Sequence, residues 1–153
     1  MSWHENFMGV IKDVIFADDK LKELMMIPEN ERGNIVAFRD KYCVNDVQSD
    51  ALIDGIPIRI LYYEDMPVET DSQVVVKPRI YFHIYVEKKH AHDYGQNRLL
   101  HRGELIASRL NVLLSGKRLH NMTFHCRGIY DLASKREGYD HKTAVFMYKR
   151  IFK

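Results

Sequence analysis

Three groups of residues in this chain have types and spacings that could do chemistry. His90, His92 and Asp93 form an HxHD run, with His83 and His101 close by in sequence. A zinc site needs three or four ligands converging at about 2.0–2.3 Å, and an HxH in a loop supplies two. Solvated histidines in a polar turn are the simpler reading. Glu87, Lys88 and Lys89 close an apolar alternating run, as the Glu-x-Lys part of a metal-dependent nuclease does, with Asp65 or Asp54 as the upstream carboxylate. There the acids would hold magnesium and Lys89 would help to activate water. The alternative is a charged strand end. No GxSxG-type nucleophile setting and no Gly-rich phosphate loop occurs, so the chain is expected not to be an enzyme and to carry no metal or cofactor.

The third group is basic. Arg98, Arg102 and Arg109 fall within about 40° of one another on a helical wheel, at the margin of an apolar stripe. Their stems could simply cover apolar surface on a solvated flank. Equally, their guanidinium groups could meet a neighbour's carboxylates in bidentate pairs. Lys135 and Arg136, at the tip of a charged segment, join them as candidate interface residues. Tyr62, Tyr63, Tyr81, Tyr85 and Tyr148 supply more hydroxyl-bearing rings than a small core needs, so some are expected at a wet boundary between subunits.

Ordinary elements must position these residues. Ser2 and Glu5 have capping-box spacing. Trp3, Phe7, Val10, Val14, Ala17, Leu21 and Leu24 then keep heptad-like spacing, which Asp18 and Asp19 interrupt as the cap of a second short helix running to Ile27, where Pro28 stops it. Residues 28–55 scatter turn formers among apolar pairs and read as a long irregular excursion with room for one brief strand or helix. Ile56, Ile58, Ile60 and Tyr62 alternate with Arg59, Leu61 and Tyr63, a strand pattern. Ile80, Phe82, Ile84 and Val86 alternate with Arg79, Tyr81, His83 and Tyr85 in a second strand, preceded by Val74 to Val76 and broken by Pro78, which predicts an edge or a bulge there. Leu99, Ile106, Leu110 and Leu113, with Gly103 between them, make one stripe of a long helix over residues 96–115, and Gly116 stands where a helix stops. Strands at residues 122–131 and 143–152, joined by the polar segment 133–140, close the chain.

The fold expected is α+β: a mainly antiparallel sheet of about four or more strands, packed by a long helix, with an N-terminal helix. It is one domain over residues 1–153, divided into an N-terminal helix (1–27), the excursion (28–55) and a strand-strand-helix-strand-strand unit (56–153). The composition is 46% hydrophobic and 29% charged, values that point to a globular chain rather than a disordered one. A net charge of +2 is too small to argue for nucleic acid. Cys43 and Cys126 lack CxxC or Cys/His spacing and are expected to be reduced thiols. No basic stretch followed by an apolar run opens the sequence, and no apolar run is long enough for a membrane span, so a product made and used in soluble form is expected.

An N-terminal helix, a strand pair, a helix carrying Leu99-Leu100, Leu105-Ile106-Ala107, Leu110-Asn111 and Leu113-Leu114-Ser115-Gly116, and a closing hairpin together resemble the tail terminator (tail completion) proteins of long-tailed bacteriophages. The resemblance covers residues 56–153, and residues 3–27 by topology. It implies a virion protein, made in the host cytoplasm, that forms a ring, commonly a hexamer, at the head-proximal end of the tail tube. Such a ring ends tube polymerisation and joins the tail to the neck. Its partners would be copies of itself, the tail tube protein and neck or connector proteins, with the tail sheath a further partner, no membrane, and DNA only as it passes through the lumen. A head-tail connector or neck protein is the alternative within the virion, and the nuclease built on Asp65, Glu87 and Lys89 the alternative outside it.

Overall fold

The computed structural model describes residues 3–45, 56–65, 75–76, 78–92, 101–119, 122–133, 137–148 and 150–151, with the backbone alone for residues 3–8, 75–76 and 150–151. Helix α1 (Trp3–Phe16) turns Ile11 and Ile15 fully inward. Asp18 then starts helix α2 (Asp19–Leu24), its carboxylate accepting the Leu21 amide at 2.8 Å, the capping role expected of it. Pro28 is not what stops α2. The helix ends at Leu24, and just beyond it Met26 takes a left-handed backbone (φ 59°), the Met26 amide bonds to Glu23 O and the Ile27 amide to Lys22 O. This is a Schellman stop without glycine, so a methionine accepts a conformation that costs a side chain about 1–2 kcal/mol.

The excursion is more regular than expected. A 3₁₀ turn (Glu29–Glu31) leads to helix α3 (Ile35–Ala37), capped by the Asn34 side chain and continued as a π-helical turn over Phe38–Tyr42. Strand β1 (Cys43–Asn45) follows and pairs parallel with β2 (Ile58–Asp65), with Cys43 opposite Ile60. Phe38, Tyr42 and Cys43 are buried in the main core. Burial raises the Cys43 thiol to about 12, which keeps it protonated and inert.

Strand β3 (Val75–Val76) is separated by Pro78 from β4 (Arg79–Glu87). After helix α4 (Arg102–Leu114) come β5 (Arg118–Leu119), β6 (Met122–Leu132), β7 (Tyr139–Tyr148) and β8 (Arg150–Ile151). Six strands form one sheet in the order β1-β2-β4-β7-β6-β5, while β3 and β8 pair apart from it. All pairs except β1 with β2 are antiparallel. The fold is therefore α+β with a mainly antiparallel sheet. Pro78 does not mark an edge or a bulge within β4. It precedes that strand, which lies inside the sheet between β2 and β7, and its missing N–H falls where the chain passes from one sheet to the other.

Helix α4 packs on β4, β6 and β7 through Ile106, Ala107, Leu110 and Leu114, all essentially inaccessible, against Phe82, Ile84, Phe124 and Phe146. Among the residues described, it begins later than the stripe suggested. His101 is its cap, with an extended backbone and a ring Nδ1 that accepts the Gly103 amide at 3.0 Å. Gly103 lets this ring pack closely, since a Cβ would lie 3.1 Å from it and the ring would have to shift by a few tenths of an ångström. The other end matches expectation, with Gly116 left-handed at φ 75° just beyond the helix.

Candidate functional site on the open face of the sheet

Alternation sorts the strand residues into two faces. Ile58, Ile60 and Tyr62 on β2, Ile80, Phe82, Ile84 and Val86 on β4, and Ala144, Phe146 and Tyr148 on β7 belong to the core under the helices. The opposite face carries Tyr63, Arg79, Tyr81, His83, Tyr85, His141, Thr143 and Val145, because each is a register neighbour of the others and odd in its strand. At one end of this face Leu61, Tyr85 and Tyr139 form a small buried cluster with Val44 against them. At the other end lies a cavity of about 330 Å³ lined by Tyr63, Arg79, Tyr81, His83, Arg127, Tyr130, Leu132, Thr143 and Val145.

A β-bulge makes this cavity. Cys126 pairs with Phe146 and Gly128 with Val145, so Arg127 is an extra residue in β6. A bulge shifts the alternation by one. Without it Tyr130 and Leu132 would point to the helix side; with it they join the cavity, and Ile129 takes the inward position against the core. Gly128 allows the Tyr130 ring to lie down, because a Cβ there would come within 2.5 Å of the Tyr130 hydroxyl. Tyr130 and Leu132 are 51% and 45% exposed.

Aromatic rings pave the floor. Tyr63, Tyr81 and His83 stack on one another with centroids 5.3–6.3 Å apart and planes within 21°, and Tyr85 stacks on His141 at 4.3 Å. The His83 Nδ1 and His141 Nε2 atoms are 2.8 Å apart, and the Thr143 hydroxyl is 3.0 Å from the same His83 nitrogen. Burial holds His83 below the ordinary histidine range, and burial together with the charge of His83 pushes His141 down to about 4. At neutral pH both rings are therefore uncharged, one donating and the other accepting. Burial, with Tyr81 and Asp65 nearby, pushes the Tyr63 phenol up. Thr143 is buried and its nearest base already engaged, so the cluster fits a structural network better than a nucleophile with its base.

Above this neutral floor stand two cations. Arg79 and Arg127 are exposed and line the cavity. Among the described residues neither guanidinium has a hydrogen-bond or ion-pair partner.

The two described arginines of α4 make contacts within the chain. Arg102 is 4% exposed and donates to the carbonyls of Leu24 at 2.8 Å and His90 at 3.0 Å, tying α2 and the turn after β4 to the start of α4. Arg109 grips Asp18 in a bidentate pair at 2.6 and 2.8 Å, which depresses the Asp18 carboxyl mainly through that hydrogen bonding. Bidentate recognition of a carboxylate is present as anticipated, but the carboxylate belongs to this chain. Arg98, Lys135 and Arg136 lie outside the described residues.

Among the described residues the other constellations do not assemble. Asp65 is the register partner of Arg79 at one end of β4, whereas Glu87 closes the other end, so they are on the order of 25 Å apart along the strand. Lys89 pairs with Glu87 at 3.2 Å, which is the charged strand end. Asp54 and Asp93 lie outside the described residues. Among the histidines, His92 meets His101 edge to face, His101 also hydrogen-bonds Asp140 at 2.9 Å, and His83 is on the opposite face. Among the described residues no three His, Cys, Asp or Glu side chains gather as metal ligands. Of the tyrosines expected at a wet boundary, Tyr62 and Tyr148 are buried in the core, the latter donating to Glu64, and Tyr63 and Tyr81 face the cavity.

In comparisons with known proteins, no family model and no curated protein matches this chain.

Proposed function

We propose that this chain is a structural virion protein that assembles into a ring, as a tail terminator does, closing the head-proximal end of a phage tail tube and joining the tail to the neck. The observation that carries the proposal is the asymmetry of the sheet. One face is sealed by helices, while the other presents exposed Tyr130 and Leu132 beside Arg79 and Arg127, which have no partner among the described residues, over a floor of stacked aromatic rings. Exposed apolar groups with a charged rim suit a contact surface. A contact between unlike surfaces of successive copies closes into a ring when the rotation between them allows. The placement of α4 between two antiparallel pairs, β2 with β4 and β6 with β7, agrees with the arrangement that the resemblance implies.

The test is a phage that lacks the protein. Growth of a tube by head-to-tail addition has no internal stop, so loss of a terminator should yield tubes of overlong or irregular length together with full heads that lack joined tails. Tails of normal length that are simply unattached would count against the terminator and favour a connector in the neck.

A further inference from the structure

We infer that the cavity on the open face is the receiving half of the subunit contact, and that it accepts the acidic segment 65–73 of a neighbouring copy; this rests on the ring reading above. Segment 65–73 carries Asp65, Glu69 and Asp71 with Met66, Pro67 and Val68, and no lysine or arginine. The cavity offers its complement. Arg79 and Arg127 supply two guanidinium groups without a partner among the described residues, the geometry that pairs best with carboxylates. Tyr130 and Leu132 supply exposed apolar surface for the methionine, proline and valine.

A single nucleic acid strand would suit this basic and aromatic surface less well. Strand binders offer ring faces on which bases stack. Here Tyr63, Tyr81 and His83 spend their faces on each other, and His141 is already covered by Tyr85. The rings therefore stiffen the floor, and recognition falls to the two arginines and the hydroxyl groups. Because cavity and segment are different surfaces, the contact is heterologous and repeats from copy to copy, as a ring requires.

Two variants of the full chain test this, Arg79→Glu with Arg127→Glu, and Glu69→Lys with Asp71→Lys, each checked for folding by circular dichroism and sized by light scattering. Arg79→Gln with Arg127→Gln replaces the first should it not fold. Each variant alone should be monomeric, since like charges then face each other. An equimolar mixture should recover assemblies of wild-type mass, because every acidic cavity finds a basic segment and every basic cavity an acidic one. Assemblies formed by the arginine variant alone would overturn the cavity contact while leaving the ring reading in place. A mixture that stays monomeric would overturn docking between copies. A wild type that is itself monomeric would remove the ring reading and this inference with it.

Discussion

The two faces of the sheet share strands and register but solve different problems. Under the helices, Phe82, Ile84, Phe124 and Phe146 meet Ile106, Leu110 and Leu114, and exclusion of water supplies the stability. On the open face polar aromatic rings stack, two neutral histidines hydrogen-bond each other, and the arginines at the rim have no partner in the described chain. The first surface is finished within one molecule. On the second, the contacts of Arg79, Arg127, Tyr130 and Leu132 are not completed among the described residues, and under the proposed ring a neighbouring copy would supply them.

That contrast sets the size of the response to change. Leu110→Asp should have the largest effect, because an unpaired carboxylate between α4 and the sheet costs several kcal/mol, a large share of a small domain's stability. The expected outcome is insoluble or unfolded protein, and a soluble Leu110→Asp chain with native circular dichroism would show that the sealed face is not the source of stability.

Arg102→Met comes next. It keeps the bulk of the side chain but leaves the carbonyls of Leu24 and His90 without this donor, and an unsatisfied buried acceptor costs about 1–3 kcal/mol. Denaturant unfolding should show this loss, with assembly retained where the protein remains folded. A fully stable Arg102→Met that fails to assemble would return Arg102 to the interface.

The histidine pair predicts a pH dependence of intermediate size. His141 is held at about 4 in the folded chain, below the ordinary value near 6.5 that it regains on unfolding. The unfolded chain therefore binds the proton first as the pH falls. Stability is complete above pH 6.5, declines toward pH 4 and levels off below that, and His83 acts in the same direction. His141→Gln should flatten this part of a plot of melting temperature against pH. A wild-type curve that is flat between pH 6.5 and 4.5 would mean that the pair is not held neutral by the fold.

The smallest effect on stability should come from Leu132→Ser, at a position that is 45% exposed, where changes usually stay within about ±0.5 kcal/mol. Its effect should appear in assembly instead, as a lower mass at a fixed concentration. A marked loss of stability with assembly unchanged would place Leu132 in the core.

What could be read in the sequence follows from what leaves a periodic trace. Alternation located β2 and β4, the stripe at Ile106, Leu110 and Leu113 located α4, and Asp18 and Gly116 marked boundaries through local backbone chemistry. Strand β1 left no trace, because three residues are too few to show a period and its pairing is parallel and distant. The start of α4 was misplaced because Leu99 extended the stripe and histidine is an uncommon cap. The partners of Arg102 and Arg109 lie 78 and 91 positions away, at Leu24 and Asp18, and no spacing rule joins them.

The open site had one legible sign that was not used. Apolar residues occupy even positions at Met122, Phe124 and Cys126 and then an odd one at Ile129, a change of parity that marks the bulge at Arg127 and places Tyr130 and Leu132 on the other face. Spacing along the chain singles out the arginines of the helix and not the basic groups of this site. Those groups stand on β4 and β6, which only the strand order brings together.

The central claim is that the open face makes the chain an assembly subunit. Light scattering of the purified full-length protein, with electron microscopy of the same sample, tests it most directly. Closed rings of several copies around a central hole are the predicted result; a monodisperse monomer at every concentration up to the solubility limit would contradict it.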